Sequence, residues 1–203
     1  MKKFLVVGLG NPGAEYAHTR HNIGFDIVDA WAQASTSVFT KERYADRAEV
    51  KIKGRTIVLI KPNTYMNLSG KAVRYWMEAE KVDLQHMIVL VDEIALPIGA
   101  IRLKLRGSDG GHNGLKSIAQ ILGRQDYMRQ RFGIGQLFPK GQQVDYVLST
   151  WQEEQKEMVD SGIERAIEQL KTLVLAGPSR AMNLNGNLPE EAAEDTTTSE
   201  GET

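Results

Sequence analysis

The sequence predicts an α/β protein, a single domain in which a twisted mixed β-sheet carries helices on both faces. Three observations point there. Short apolar, β-branched runs alternate with stretches of helical periodicity, which is the pattern of a sheet layered between helices. Lys53-Gly54-Arg55 sits between two strand-like runs and reads as a hairpin turn, so the sheet is not purely parallel. The chain of 203 residues shows no internal repeat and no linker before its last residues, a length that suits one substantial core.

Strand-like runs fall at 3–9, 47–53, 55–62, 87–93, 99–106, 129–136 and 144–149. A helix is expected over 22–35, where Ile23, Ile27, Ala30, Trp31 and Ala34 share a face. A second is expected over 68–80, through Ala72, Val73, Trp76 and Met77. A third is expected over 112–123, through Leu115, Ile118, Ala119 and Leu122. The last helix starts at a capping box made by Thr150 and Glu153. It carries a stripe of Met158, Ile163, Ala166, Ile167, Leu170 and Val174 and stops at Gly177-Pro178.

The net charge of −1 is unevenly spread. Residues 187–203 hold Glu190, Glu191, Glu194, Asp195, Glu200 and Glu202 and no base, and they read as a disordered acidic tail after a domain of residues 1–186. Setting those six acids aside leaves 25 basic against 20 acidic residues, a body of net +5. Residues 102–131 contribute Arg102, Lys104, Arg106, Lys116, Arg124, Arg129 and Arg131, opposed only by Asp109 and Asp126. Such a segment is an ordinary solvated surface or a docking face for a polyanion. The absence of cysteine excludes disulfides, thiolate metal sites and a cysteine nucleophile, and it fits a reducing compartment. The apolar run after Met1-Lys2-Lys3 spans about six residues, too short for a signal peptide, and no run approaches the ~18 residues of a membrane span. A cytoplasmic protein is expected.

Gly8 to Gly13, G-L-G-N-P-G, matches the dinucleotide pattern G-x-G-x-x-G. The context does not. Pro12 pushes Asn11 away from helical geometry, a polar loop follows, and the position about twenty residues on falls within a helix rather than at a strand end. The glycines are expected to shape a tight strand-to-loop turn, with no cofactor bound. That loop is rich in reactive groups: Asn11, Tyr16, His18, Arg20, His21 and Asn22. Asp92 and Glu93 end the run 87–93, Asn67 opens one helix, and Gly110-Gly111 deliver His112 and Asn113 to another. Asparagine at a helix start is usually a cap, and a neighbouring histidine is usually a surface or supporting group. The number of such groups at one edge of the sheet exceeds that ordinary account.

No G-x-S-x-G, H-E-x-x-H or P-loop is present, and the His18/His21 pair lacks an evident third ligand, so no metal is expected. What remains is water activated by a histidine general base, oriented by a carboxylate, with asparagine amides as oxyanion donors. That machinery suits an activated ester.

The motifs V-V-G-L-G-N-P-G-A-E-Y-A-H-T-R-H-N-I-G-F, K-P-N-T-Y-M-N-L-S-G-K-A-V, L-V-D-E-I-A-L-P, G-S-D-G-G-H-N-G-L and R-F-G-I-G occur in an order and spacing that resemble bacterial peptidyl-tRNA hydrolases over residues 3–183. The resemblance implies cleavage of the ester between peptide and tRNA by a monomer without metal or cofactor. It implies His21 as the base, Asp92 as its orienting partner and Asn11 as a group that positions ester and water. It also implies Asn67 and Asn113 as ligands of the peptide backbone and tRNA end, Tyr16 and Met66 as lining of the peptide channel, and Lys104 and Arg131 as phosphate contacts. Two departures stand out: Ala95 replaces the family's usual aspartate, and Ser108-Asp109 interrupts the glycine-rich segment, placing a negative charge near the expected nucleic acid. A non-catalytic RNA-binding relative, of the kind found among plant organelle splicing factors, is the alternative; it would not need His21, Asp92, Asn11 and Asn113 together.

Overall fold

The computed structural model describes residues 2–184, so the acidic tail expected over 187–203 lies outside the described residues. One seven-stranded sheet organises them: β1 (Lys2–Gly8), β2 (Thr40–Lys41), β3 (Ala45–Ile52), β4 (Arg55–Pro62), β5 (Met87–Glu93), β6 (Ile101–Lys104) and β7 (Met128–Gly133). Their order across the sheet is β2-β3-β4-β1-β5-β7-β6. The central β4, β1, β5 and β7 run parallel. β3 turns back on β4 through Lys53-Gly54, and β6 lies antiparallel on β7, so both edges are antiparallel and the sheet is mixed, as the hairpin signal predicts.

Alternation along the central strands supplies two core layers. Phe4 and Val6 pack with Ile23, Ile27 and Trp31 of α1 (Ile23–Ala34) and Leu170 and Val174 of α5 (Glu153–Ala176). Leu5 and Val7 face the other way, onto Val73 and Trp76 of α2 (Ser69–Glu80) and Leu115 and Ile118 of α3 (Asn113–Leu122). Helices therefore cover both faces. No described helix is long and apolar enough to cross a membrane.

Several local expectations are corrected. The run 144–149 is not a strand but the short helix α4 (Gln143–Val147). Val144, Tyr146 and Leu148 alternate as on one face of a strand, but Val144, Val147 and Leu148 also stand at i, i+3 and i+4, the spacing of one helical face. The capping box of α5 is built by Gln152 and Gln155 rather than Thr150 and Glu153. Thr150 is engaged elsewhere, bridging to Thr19 and giving its carbonyl to Arg20. Within the α5 stripe Met158 is exposed and Val159 takes the buried position. The strands expected over 99–106 and 129–136 are shorter in fact, Ile101–Lys104 and Met128–Gly133, and Pro178 opens a further short helix, α6 (Pro178–Asn183).

Gly8 does not serve the turn role expected of it. A Cβ on Gly8 would lie 2.3 Å from the carbonyl oxygen of Gly24, and one on Gly24 would lie 2.5 Å from the Leu9 nitrogen. The two glycines let β1 and the first turn of α1 touch backbone to backbone. That contact fixes the segment just before α1, residues 20–22, against the carboxyl ends of β1 and β5.

Candidate active site

Asp92 is the centre of the site. It stands one residue before the end of β5, within the buried middle of the sheet, beside Phe132 on β7. Its carboxylate takes hydrogen bonds from two imidazoles. His21, on the helical turn Arg20–Asn22, directs Nδ1 at Oδ1 and Oδ2 at 3.0 and 3.1 Å. His112, at the cap of α3, directs Nε2 at Oδ1 at 2.9 Å. The two rings lie 5.0 Å apart.

The hydrogen bonds fix both tautomers. His112 Nδ1 accepts from the amides of Gly114 and Leu115, at 3.1 and 3.4 Å, so its proton sits on Nε2 and goes to Asp92. His21 donates through Nδ1. Its Nε2 then carries the lone pair, without a partner among the described residues, on a ring that lines a cavity of about 340 Å³. His21 Nδ1, an Asp92 oxygen and His112 Nε2 lie within 4.8 Å of one another, close enough to suggest three metal ligands. Both ring nitrogens facing Asp92 are protonated donors, however, and the cluster fits a hydrogen-bonded carboxylate.

Electrostatics follow from this arrangement. Burial alone would push the Asp92 carboxyl upward, but electrostatic attraction to the facing N–H groups of His112 and His21 and the hydrogen bonds they donate outweigh it and hold the group well below the usual carboxylate range. Asp92 is thus ionised throughout the physiological range. Burial would lower His21, and the facing carboxylate overcomes this, leaving the imidazole raised above its ordinary 6.5. An imidazole so placed can serve as a base only when neutral, so any reaction it serves should speed up with pH through the raised value. The acid limb of kcat/KM is expected to have its midpoint above ~6.5; a midpoint below that value would contradict the His21–Asp92 coupling.

Asparagines surround the imidazole. Asn11 follows β1, and its Oδ1 accepts from the Met66 amide at 2.7 Å, which leaves Nδ2 as its remaining donor. Asn11 itself is held by Asn22, whose side chain accepts from the Asn11 amide and donates to the Asn11 carbonyl, both at 2.9 Å. Asn67 and Asn113 line the same cavity from exposed positions, at the starts of the segments leading into α2 and α3. Met66 is buried beneath it. Gly114 makes this possible, since a Cβ there would lie 2.7 Å from both the Met66 sulfur and Leu9.

Of the residues singled out in the sequence, His21, Asp92, Asn11, Met66, Asn67, Asn113 and Arg131 meet at this cavity. Arg131 reaches it from β7, paired with Glu93 at 2.6 Å. Tyr16 does not line it; it is half-buried in the preceding loop, where its carbonyl accepts from Thr19. Lys104 lies outside the cavity, exposed on edge strand β6. Two supporting residues receive no specific role from the sequence: His112 reads there only as a surface or supporting group beside Asn113, and Asn22 only as one of the reactive groups of the loop around His21. The apolar wall of Val144, Val147 and Leu148 was also missed, because that run read as a strand.

The profile of the peptidyl-tRNA hydrolase family matches residues 5–193. The chain belongs to the peptidyl-tRNA hydrolase family. Among relatives, the peptidyl-tRNA hydrolase of Phocaeicola vulgatus is 53% identical over 181 residues, covering 89% of this chain and 97% of that protein. The one from Cytophaga hutchinsonii is 53% identical over 182 residues, covering 89% and 96%. Among solved structures, the peptidyl-tRNA hydrolase of Acinetobacter baumannii superposes with a TM-score of 0.85 at 34% identity, over 90% of this chain and 94% of that one. The mixed seven-stranded sheet with helices on both faces is therefore that of the peptidyl-tRNA hydrolase fold.

Proposed function

We propose that this chain hydrolyses the ester joining a peptide to the terminal ribose of tRNA, with water as the nucleophile and His21 as its base. The observation that carries the reading is the free Nε2 of His21, its tautomer set by an ionised Asp92, inside an asparagine-rimmed cavity. Water bound at Nε2 gives its proton to His21 as its oxygen attacks the ester carbonyl. The tetrahedral oxyanion accepts from amide donors, for which Asn11 Nδ2 is the best fixed candidate, with Asn113 and Asn67 beside it. Collapse expels the ribose oxygen, which takes the proton back from His21. The products are a free peptide acid and deacylated tRNA. Asp92 stays ionised throughout and stabilises the transient imidazolium. On this proposal the chain acts as a monomer in the cytoplasm, where peptidyl-tRNA is its substrate.

Single turnover of an N-acetyl-aminoacyl-tRNA in ¹⁸O-enriched water tests this route. One labelled oxygen should appear in the released N-acetyl amino acid and none in the tRNA, with no acylated protein on mass analysis. Label in the ribose or an acyl-protein adduct would overturn it.

The basic segment supplies the docking face. Arg102 and Lys104 are exposed on β6, and Arg102 lies opposite Arg131 in the β6–β7 register. Phosphate contacts bind ground and transition states alike. Arg131→Ala is therefore expected to raise KM about tenfold, the worth of one charge-assisted hydrogen bond, while kcat changes much less. An unchanged KM with a collapsed kcat would contradict that role.

A further inference from the structure

Arg20 is 3% exposed and is paired with no carboxylate among the described residues. Its guanidinium donates only to neutral groups, from Nη1 and Nη2 to Ser149 Oγ, the Thr150 carbonyl at 2.6 Å and Gln155 Oε1 at 2.9 Å, while its buried Nε has no partner among the described residues. Its Cζ lies 4.4 Å from the Tyr146 ring centre and 5.0 Å from that of Trp151. A buried cation with no counter-charge is costly, and a core could fill that space with apolar side chains at no such cost. Its placement accounts for it. The backbone of Arg20 also donates to the Ser149 carbonyl at 3.0 Å, and Thr19 bridges to Thr150. These partners lie within residues 146–155: Tyr146 belongs to the helix that bears the cavity wall Val144, Val147 and Leu148, and the others follow it, while Arg20 directly precedes His21.

We infer that Arg20 is a positioning residue: it fastens the turn carrying His21 to the segment that bears the apolar α4 wall, so that the wall and the imidazole keep one fixed geometry. This inference rests on the proposed function for its importance to turnover, though not for its effect on His21. The groups facing the His21 ring are Asp92 from β5 and His112 from the α3 cap, with Glu93 and Arg131 further along the same cavity. Arg20 touches none of them. It acts on His21 only by holding its turn.

The guanidinium fork engages Ser149, Thr150 and Gln155 together, which a lysine ammonium cannot reproduce. Arg20→Lys in the full chain should therefore loosen the His21–Asp92 contact. The NMR titration midpoint of the His21 ring should fall towards the ordinary imidazole value. In steady-state hydrolysis of N-acetyl-aminoacyl-tRNA, kcat should fall at least about tenfold with little change in KM, since misplacement of a reacting group costs rate rather than binding. Ser149→Ala removes a single acceptor and keeps the test decisive if Arg20→Lys does not fold; it should shift the midpoint the same way by a smaller amount. A His21 midpoint identical to wild type in a folded variant overturns the inference. If the variants move the midpoint while even the wild type cleaves no peptidyl-tRNA, the positioning role stands and the proposed function fails.

Discussion

His21→Ala is expected to fold as the wild type does and to lose about 10²–10⁴ in kcat, the range a positioned general base contributes. The fold should tolerate the change. The ring is a lining group of the cavity rather than a core side chain, and Asp92 keeps the His112 hydrogen bond after the truncation. KM should move little, because Arg131, Asn67 and Asn113, the cavity residues proposed to hold substrate, are untouched. Circular dichroism with single-turnover hydrolysis separates the two effects. Near wild-type turnover in a folded variant would remove His21 from the role of base.

Asp92→Asn is expected to cost on the order of 10³–10⁴ in kcat with the backbone intact, since an amide cannot impose the same tautomer. The carboxylate accepts from both His21 Nδ1 and His112 Nε2. An asparagine offers one acceptor oxygen and an NH₂ that must face a ring nitrogen without a proton. Whichever histidine yields, the pair no longer presents a charged support with a free Nε2 on His21. The residual activity carries a second signature. Burial lowers the imidazole and Asp92 raises it, so removing the charge should move the acid limb of kcat/KM below its wild-type position. A variant with a low rate but an unmoved limb would show that the titrating group is not His21.

How much of this was legible in the sequence depended on the range of the interaction. Apolar runs placed β1, β4 and β5, and a period of 3.6 placed α1, α2 and α3, nearly to the residue, because burial on both faces of these strands demands unbroken apolar runs; the end of β7 was three residues off. α4 was misread because five residues with apolar groups at 144, 146, 147 and 148 satisfy either period, and its helix forms where Tyr146 and the residues after it pack around Arg20. The α5 cap slid by two residues because Thr150 was already committed to Thr19 and Arg20, a tertiary contact invisible from local pattern. At the site, strand ends indicated the right edge of the sheet, but nothing local joins His21 to a carboxylate 71 positions away; that pairing came from the family motifs. The sequence suggests Asn113 as the helix cap and His112 as a surface or supporting group beside it, whereas in the structure His112 is itself the cap. Its other nitrogen does the second task, and only the fold brings Asp92 within its reach.

The most direct measurement is release of deacylated tRNA from a model N-acetyl-aminoacyl-tRNA by the purified full-length chain, followed with and without a strong chelator. The account predicts release at the same rate in both, because Asp92 and His21 ready the water without help from an ion. No release, or release that stops when the chelator is added, would contradict it.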